Sequence, residues 1–72
     1  MAGAGGGLEA RVLEALRRAG RPLEFREVLE ALGWEGDARP VRRALASLVR
    51  GGLVERVPDY GSRRLRFRVA GG

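Results

Sequence analysis

A mainly α fold with a small β-hairpin, three helices followed by two strands, is the architecture this 72-residue chain predicts. Apolar residues recur at helical spacing in three separate stretches, and each stretch runs into a glycine. Beyond Gly51-Gly52 the helical period gives way to strand-like stretches around a turn signal, Pro58-Asp59-Tyr60-Gly61, the second of them strictly alternating.

The first helix is expected over Leu8 to Ala19, ended by Gly20 and Pro22. Leu8, Val12, Ala15, Leu16 and Ala19 form its apolar stripe. Glu14 stands three and four residues before Arg17 and Arg18, the favourable order for ion pairs on a helix surface. Leu13 lies off the stripe, either as the edge of a wide core-facing arc or as a partner contact. Leu23-Glu24-Phe25 follows a proline and reads as a one-pair strand. Phe25, Val28, Leu29 and Leu32 make the second stripe, closed by Gly33 just past the helix. Trp34 then stands where an apolar residue packs back on the last turn, here on Leu29. A protein-binding anchor is the alternative for this side chain.

The third helix opens at Asp37 or at Arg39. Proline disfavours the α region in the residue before it and suits the first helical position itself, which is where Pro40 would sit. Val41, Ala44, Leu45, Leu48 and Val49 are its stripe, and Leu45 and Leu48 are expected to anchor it on the first two helices. Leu53 to Val57 is then a strand, Pro58 to Gly61 a turn, and Arg64 to Val69 the second strand. Leu65, Phe67 and Val69 are expected to face the helices, with Arg64, Arg66 and Arg68 as a ladder on the outer face. Residues 1–7 read as a flexible Gly-rich tail, 8–70 as the folded domain and 71–72 as a disordered end.

Composition narrows the function. The chain has no Cys, His or Lys and only two serines, so disulfides, thiolate sites and most nucleophiles and general bases are excluded. Enzyme activity, a cofactor and a metal site are not expected. No apolar run approaches the roughly 18 residues that span a bilayer, and the first residues lack the regions of a signal peptide. A cytoplasmic protein with no membrane association is expected. Ile, Asn, Gln and Thr are also missing, which fits a gene of high G+C content and equally a thermophile, where Asn and Gln are reduced.

Charge is unevenly placed. Residues 1–36 hold five arginines against six glutamates, a net charge of −1; residues 37–72 hold nine arginines against Asp37, Glu55 and Asp59, a net charge of +6. Between Ala38 and Val54 there are four arginines and no acid. At about 100° per residue, Arg39, Arg43, Ala46 and Arg50 line up opposite the apolar stripe, flanked by Arg42 and Ser47. Such a face adds only self-repulsion to the fold unless a negatively charged partner meets it.

The stretch Pro40-Val41-Arg42-Arg43-Ala44-Leu45-Ala46-Ser47-Leu48-Val49-Arg50-Gly51-Gly52-Leu53-Val54-Glu55-Arg56 resembles a pattern of the winged helix-turn-helix family, recurrent in bacterial and archaeal transcription regulators. Arg21-Pro22-Leu23-Glu24-Phe25-Arg26-Glu27-Val28 is similar to that family's entry into its second helix. The resemblance covers about residues 8–70. It implies a three-helix core with a two-stranded wing, and double-stranded DNA as the partner of a transcription regulator or a small chromosomal DNA-binding protein.

In such a motif the recognition helix enters the major groove with its N-terminal part on base edges. The resemblance therefore places Arg39, Arg42 and Arg43 at bases, with Ser47 and Arg50 along the same helix. Arginine binds guanine O6 and N7 bidentately. With no Asn or Gln to read adenine, direct readout favours guanine. Arg63, Arg64, Arg66 and Arg68 would set the wing on the backbone or minor groove, where arginine senses groove width and phosphate charge. Dimeric members add a long helix beside the wing; the expectation here is a monomer or weak homodimer, with no small-molecule effector. The rival is a winged-helix protein–protein interaction module, or a subunit of a larger nucleic-acid-processing complex, docking a partner protein.

Overall fold

A computed structural model describes residues 3–71, with side chains from Gly7 onward; residues 1–2 and 72, parts of the expected tail and end, lie outside the described residues. The elements are α1 (Gly3–Ala19), β1 (Leu23–Glu24), α2 (Phe25–Leu32), α3 (Arg39–Arg50), β2 (Val54–Asp59) and β3 (Arg64–Val69). The backbone is thus helical from Gly3, earlier than the sequence suggested. Gly7 departs from helical geometry (φ −8°, ψ −124°), so the continuous helix carrying the apolar stripe starts at Leu8.

The core is made by the expected stripes. Val12 and Leu16 of α1, Val28 of α2, and Val41, Ala44, Leu45 and Leu48 of α3 are buried together with Leu23 and Val54. Leu13, Trp34 and Val49 are half-buried against this cluster, so Leu13 and Trp34 belong to the edge of the core. Ala19 is exposed at the end of its helix.

Two helix ends share one device. After α2 the N–H of Trp34 donates to the Leu29 carbonyl (2.9 Å) and that of Gly33 to Glu30 (3.1 Å), with Gly33 left-handed at φ 65°. After α3, Leu53 donates to Leu48 (2.9 Å) and Gly52 to Val49 (3.0 Å), with Gly52 at φ 81°. Both are Schellman closures, which satisfy carbonyls the helix leaves open and favour glycine at the left-handed residue.

The start of α3 differs from both expected caps. Ala38 occupies the N-cap, and Pro40 falls at the second helical residue. Asp37 acts from one position further out: its Oδ1 accepts the Arg39 backbone N–H at 3.0 Å.

The β part is a three-stranded antiparallel sheet of order β1-β3-β2, one strand more than a bare hairpin. Leu23 pairs with Phe67 and Glu24 with Arg66, which ties the wing to the entry of α2. β2 extends to Asp59 and takes in Pro58, opposite Leu65. A residue with no N–H is tolerated there because β2 is an edge strand. The turn consequently lies later than Pro58–Gly61, with Arg63 left-handed at φ 61° and its N–H on the Asp59 carbonyl at 2.7 Å. Leu65, expected against the helices, is 43% exposed, whereas Phe67 and Val69 reach the core. The hairpin outruns the helical layer, so only its base can be covered.

Candidate nucleic-acid interface

The helix α3 shows two opposed faces. Its buried side packs on α1 and the sheet, which leaves Arg39, Arg42, Arg43, Ala46 and Arg50 exposed and Ser47 half-exposed. The exposed side has two flanks. Arg43 and Ser47 border a shallow depression with Leu8 and Pro40, while Arg42, Ala46 and Arg50 border a cleft that faces the hairpin.

These arginines differ in their partners. Arg39 is bound to Asp37, with its Nε 3.1 and 3.0 Å from the two carboxylate oxygens and an Nη at 2.9 Å. The Arg39 side chain, then its backbone N–H, hold the Asp37 carboxyl below its ordinary value of 3.8. Its guanidinium is therefore not bare, because the acid sits one residue before the acid-free run. Arg42 lies over the Phe25 ring, 4.3 Å from its centroid, a cation–π contact that orients the charge without neutralising it. Among the described residues, Arg42, Arg43 and Arg50 have no carboxylate partner.

The outer ladder of the wing is paired throughout. Register puts Glu24 beside Arg66, Glu55 beside Arg68 and Asp59 beside Arg64 on one sheet face. Arg64 meets Glu24 at 3.1 Å, Arg66 meets Asp59 at 3.2 Å and Glu24 at 3.5 Å, and Arg68 meets Glu55 at 2.9 Å. The expectation of a bare arginine ladder is thus corrected. Cross-strand acids, distant in sequence, neutralise it. The pairs at Arg64 and Arg68 are more than half exposed on the arginine side, where such bridges contribute about 0–1 kcal/mol. Arg66 is more enclosed, and its Nε–H is buried without an acceptor among the described residues.

At the wing tip, Asp59 Oδ1 accepts the N–H groups of Gly61 (3.0 Å) and Ser62 (3.4 Å). Hydrogen bonds from Ser62 and Gly61 hold its carboxyl below 3.8. Tyr60 is 88% exposed, and Arg63 has no carboxylate partner among the described residues.

One arginine escaped the sequence reading. Arg56 stands on the same face of β2 as buried Val54, opposite Phe67, and borders the cleft with Arg42 and Arg50. Strict alternation from Val54 would have placed it there; the acids that flank the strand, Glu55 and Asp59, fall on the other face. The cleft holds about 460 Å³, and among the described residues no acid lines it. Among the described residues no acidic cluster could hold a metal ion, and no helix is long and apolar enough to cross a membrane.

The family model of the IclR helix-turn-helix domain matches residues 10–58, from α1 into β2. No curated protein matches the chain. Among solved structures, the chain is similar to the PcaV transcriptional regulator from Streptomyces coelicolor, a crystal structure in complex with its natural ligand. The two share 30% identity with a TM-score of 0.74, over 90% of this chain and 45% of the regulator. The chain thus spans less than half the length of that protein. Both matches cover the α2–turn–α3 pair, and the chain belongs to the IclR helix-turn-helix domain family, a DNA-binding domain of the transcription-regulator type.

Proposed function

We propose that this domain binds duplex DNA with α3 in the major groove and the hairpin against the backbone and minor groove, as part of a cytoplasmic transcription regulator. The observation that carries the reading is the unpaired set Arg42, Arg43 and Arg50 on the exposed side of α3. Arg43 and Arg42, near the start of the helix, are placed for base edges, with Ser47 and Arg50 further along it. Arg39 contributes through its partly shared guanidinium. Among the described residues Arg63 has no carboxylate partner at the wing tip, whereas Arg64, Arg66 and Arg68 reach phosphate only by exchanging a carboxylate for it.

The 72-residue chain is expected to be a monomer or a weak dimer. Among the described residues the exposed large apolar side chains are Leu53, Tyr60 and Leu65; Tyr60 and Leu65 border one depression at the wing tip and Leu53 stands at the other end of the hairpin, so they form no broad seam.

Arg43→Ala tests the docking. It is expected to relax discrimination by roughly 1–3 kcal/mol at one G·C pair, measured by competition among duplexes selected from a random pool. Unchanged affinity and unchanged preference in this variant would remove α3 from the groove and favour the interaction-module alternative.

A further inference from the structure

Arg56 has no role in the docking just described, yet its surroundings are specific. Cross-strand from it is Phe67, next along that face is Leu65, and across the cleft stand Arg42 and Arg50. Among the described residues it has no carboxylate partner, and the nearest acids in sequence face the opposite side of the sheet. Three guanidinium groups around one cleft repel each other and do nothing for the isolated fold. An occupant that complements them carries negative charge and also an apolar surface for Leu65, which is 43% exposed, and for Phe67.

The sugar–phosphate strand of a duplex has both. The major and minor grooves of B-DNA are separated by one such strand on each side. A protein with a helix in one groove and a hairpin at the next must let that strand pass between them. In this domain the passage is the cleft between α3 and the hairpin.

We infer that this cleft saddles one sugar–phosphate strand, with Arg50 and Arg56 on its phosphates, Arg42 at the rim where the helix turns to the base edges, and Leu65 and Phe67 against its deoxyribose. The inference rests on the groove docking proposed above and adds Arg56 as a phosphate-binding residue. Arg56 is solvent-exposed and outside the core, so the fold tolerates its replacement.

The test compares wild type with Arg56→Gln on a mixed-sequence duplex across a salt series. Losing one phosphate contact is expected to lower the salt slope by about one unit, and to weaken all sequences alike by roughly eightfold near 0.1 M salt. Base preference stays as in wild type. Duplexes carrying one neutral methylphosphonate at each backbone position in turn supply a second readout. At one or two positions the wild type is expected to lose affinity while Arg56→Gln does not. A variant that binds as wild type, with the same slope and the same methylphosphonate profile, overturns the saddle. Groove docking then still stands if Arg43→Ala loses discrimination, whereas a wild type with no duplex affinity at low salt overturns both.

Discussion

Arg43 and Arg64 are the same residue type on the same basic half of the chain, and they differ in whether a carboxylate binds them. Arg43 makes no ion pair among the described residues, although Asp37 feels its charge and Glu9 borders the same depression, while Arg64 is bound to a carboxylate that it shares with Arg66. Sequence spacing placed both side chains correctly on solvent-facing surfaces. It missed the pairing at Arg64 because Glu24 is forty residues away and reaches the wing only through the β1–β3 register. Arg39 was missed for a smaller reason, an acid just outside the arginine-rich stretch. Core residues were easier, since helical periodicity alone sets which side faces inward. Leu45 is 2% exposed within the hydrophobic core that α3 shares with α1. Leu45→Ala is expected to cost about 2–5 kcal/mol in chemical unfolding, a large share of the stability of a domain this small. A loss below about 1 kcal/mol would mean that the site collapses around the cavity or that the helix faces elsewhere.

At the scale of elements, the helices ended where glycine follows an apolar stripe, because the left-handed closing residue is a local requirement and is visible in sequence. The sheet was less legible. A two-residue strand such as β1 has no period of its own, and its pairing with β3 is a tertiary fact. The hairpin was expected to end two pairs earlier on β2, as Pro58 and Asp59 were read as turn. An edge strand accommodates it, and this moved the turn to Tyr60–Arg63. Beyond the helical layer this tip has no core beneath it. Amide hydrogen exchange at Tyr60–Arg63 is therefore expected to be far faster than at Val41–Leu48 in α3, where exchange approaches the global unfolding limit. Equal protection in the two segments would show that the tip is held by contacts other than the Asp59 hydrogen bonds.

For the molecule as a whole, absence of histidine and cysteine leaves no side chain whose ordinary pKa lies between about 5 and about 9. Glu27, Asp37 and Asp59 are all held below their ordinary values of 4.5, 3.8 and 3.8, chiefly by hydrogen bonds to Glu24, Arg39 and Ser62 respectively. A carboxyl with a depressed folded-state pKa stabilises the fold above its unfolded value, and that contribution is lost as pH falls through the folded value. Melting temperature is thus expected to be flat from about pH 7 to about pH 5.5 and to fall below about pH 4. A transition near pH 6 would contradict this assignment.

The fold class and the basic face of α3 could be read from the chain because both are periodic. The division of arginines into paired and free could not, because it depends on strand register. That division predicts which part of the molecule attracts a polyanion: α3 and the cleft beside it, more than the outer face of the wing. Equilibrium binding to a mixed-sequence duplex, measured across a series of salt concentrations, tests this account most directly. Affinity is expected to fall steeply with salt, with a slope of about −0.9 for each phosphate contacted, and binding at low salt is expected to be largely lost when Arg42, Arg43 and Arg50 are replaced together. Absence of duplex binding by the wild type at low salt, or an affinity that survives the triple replacement, would contradict it.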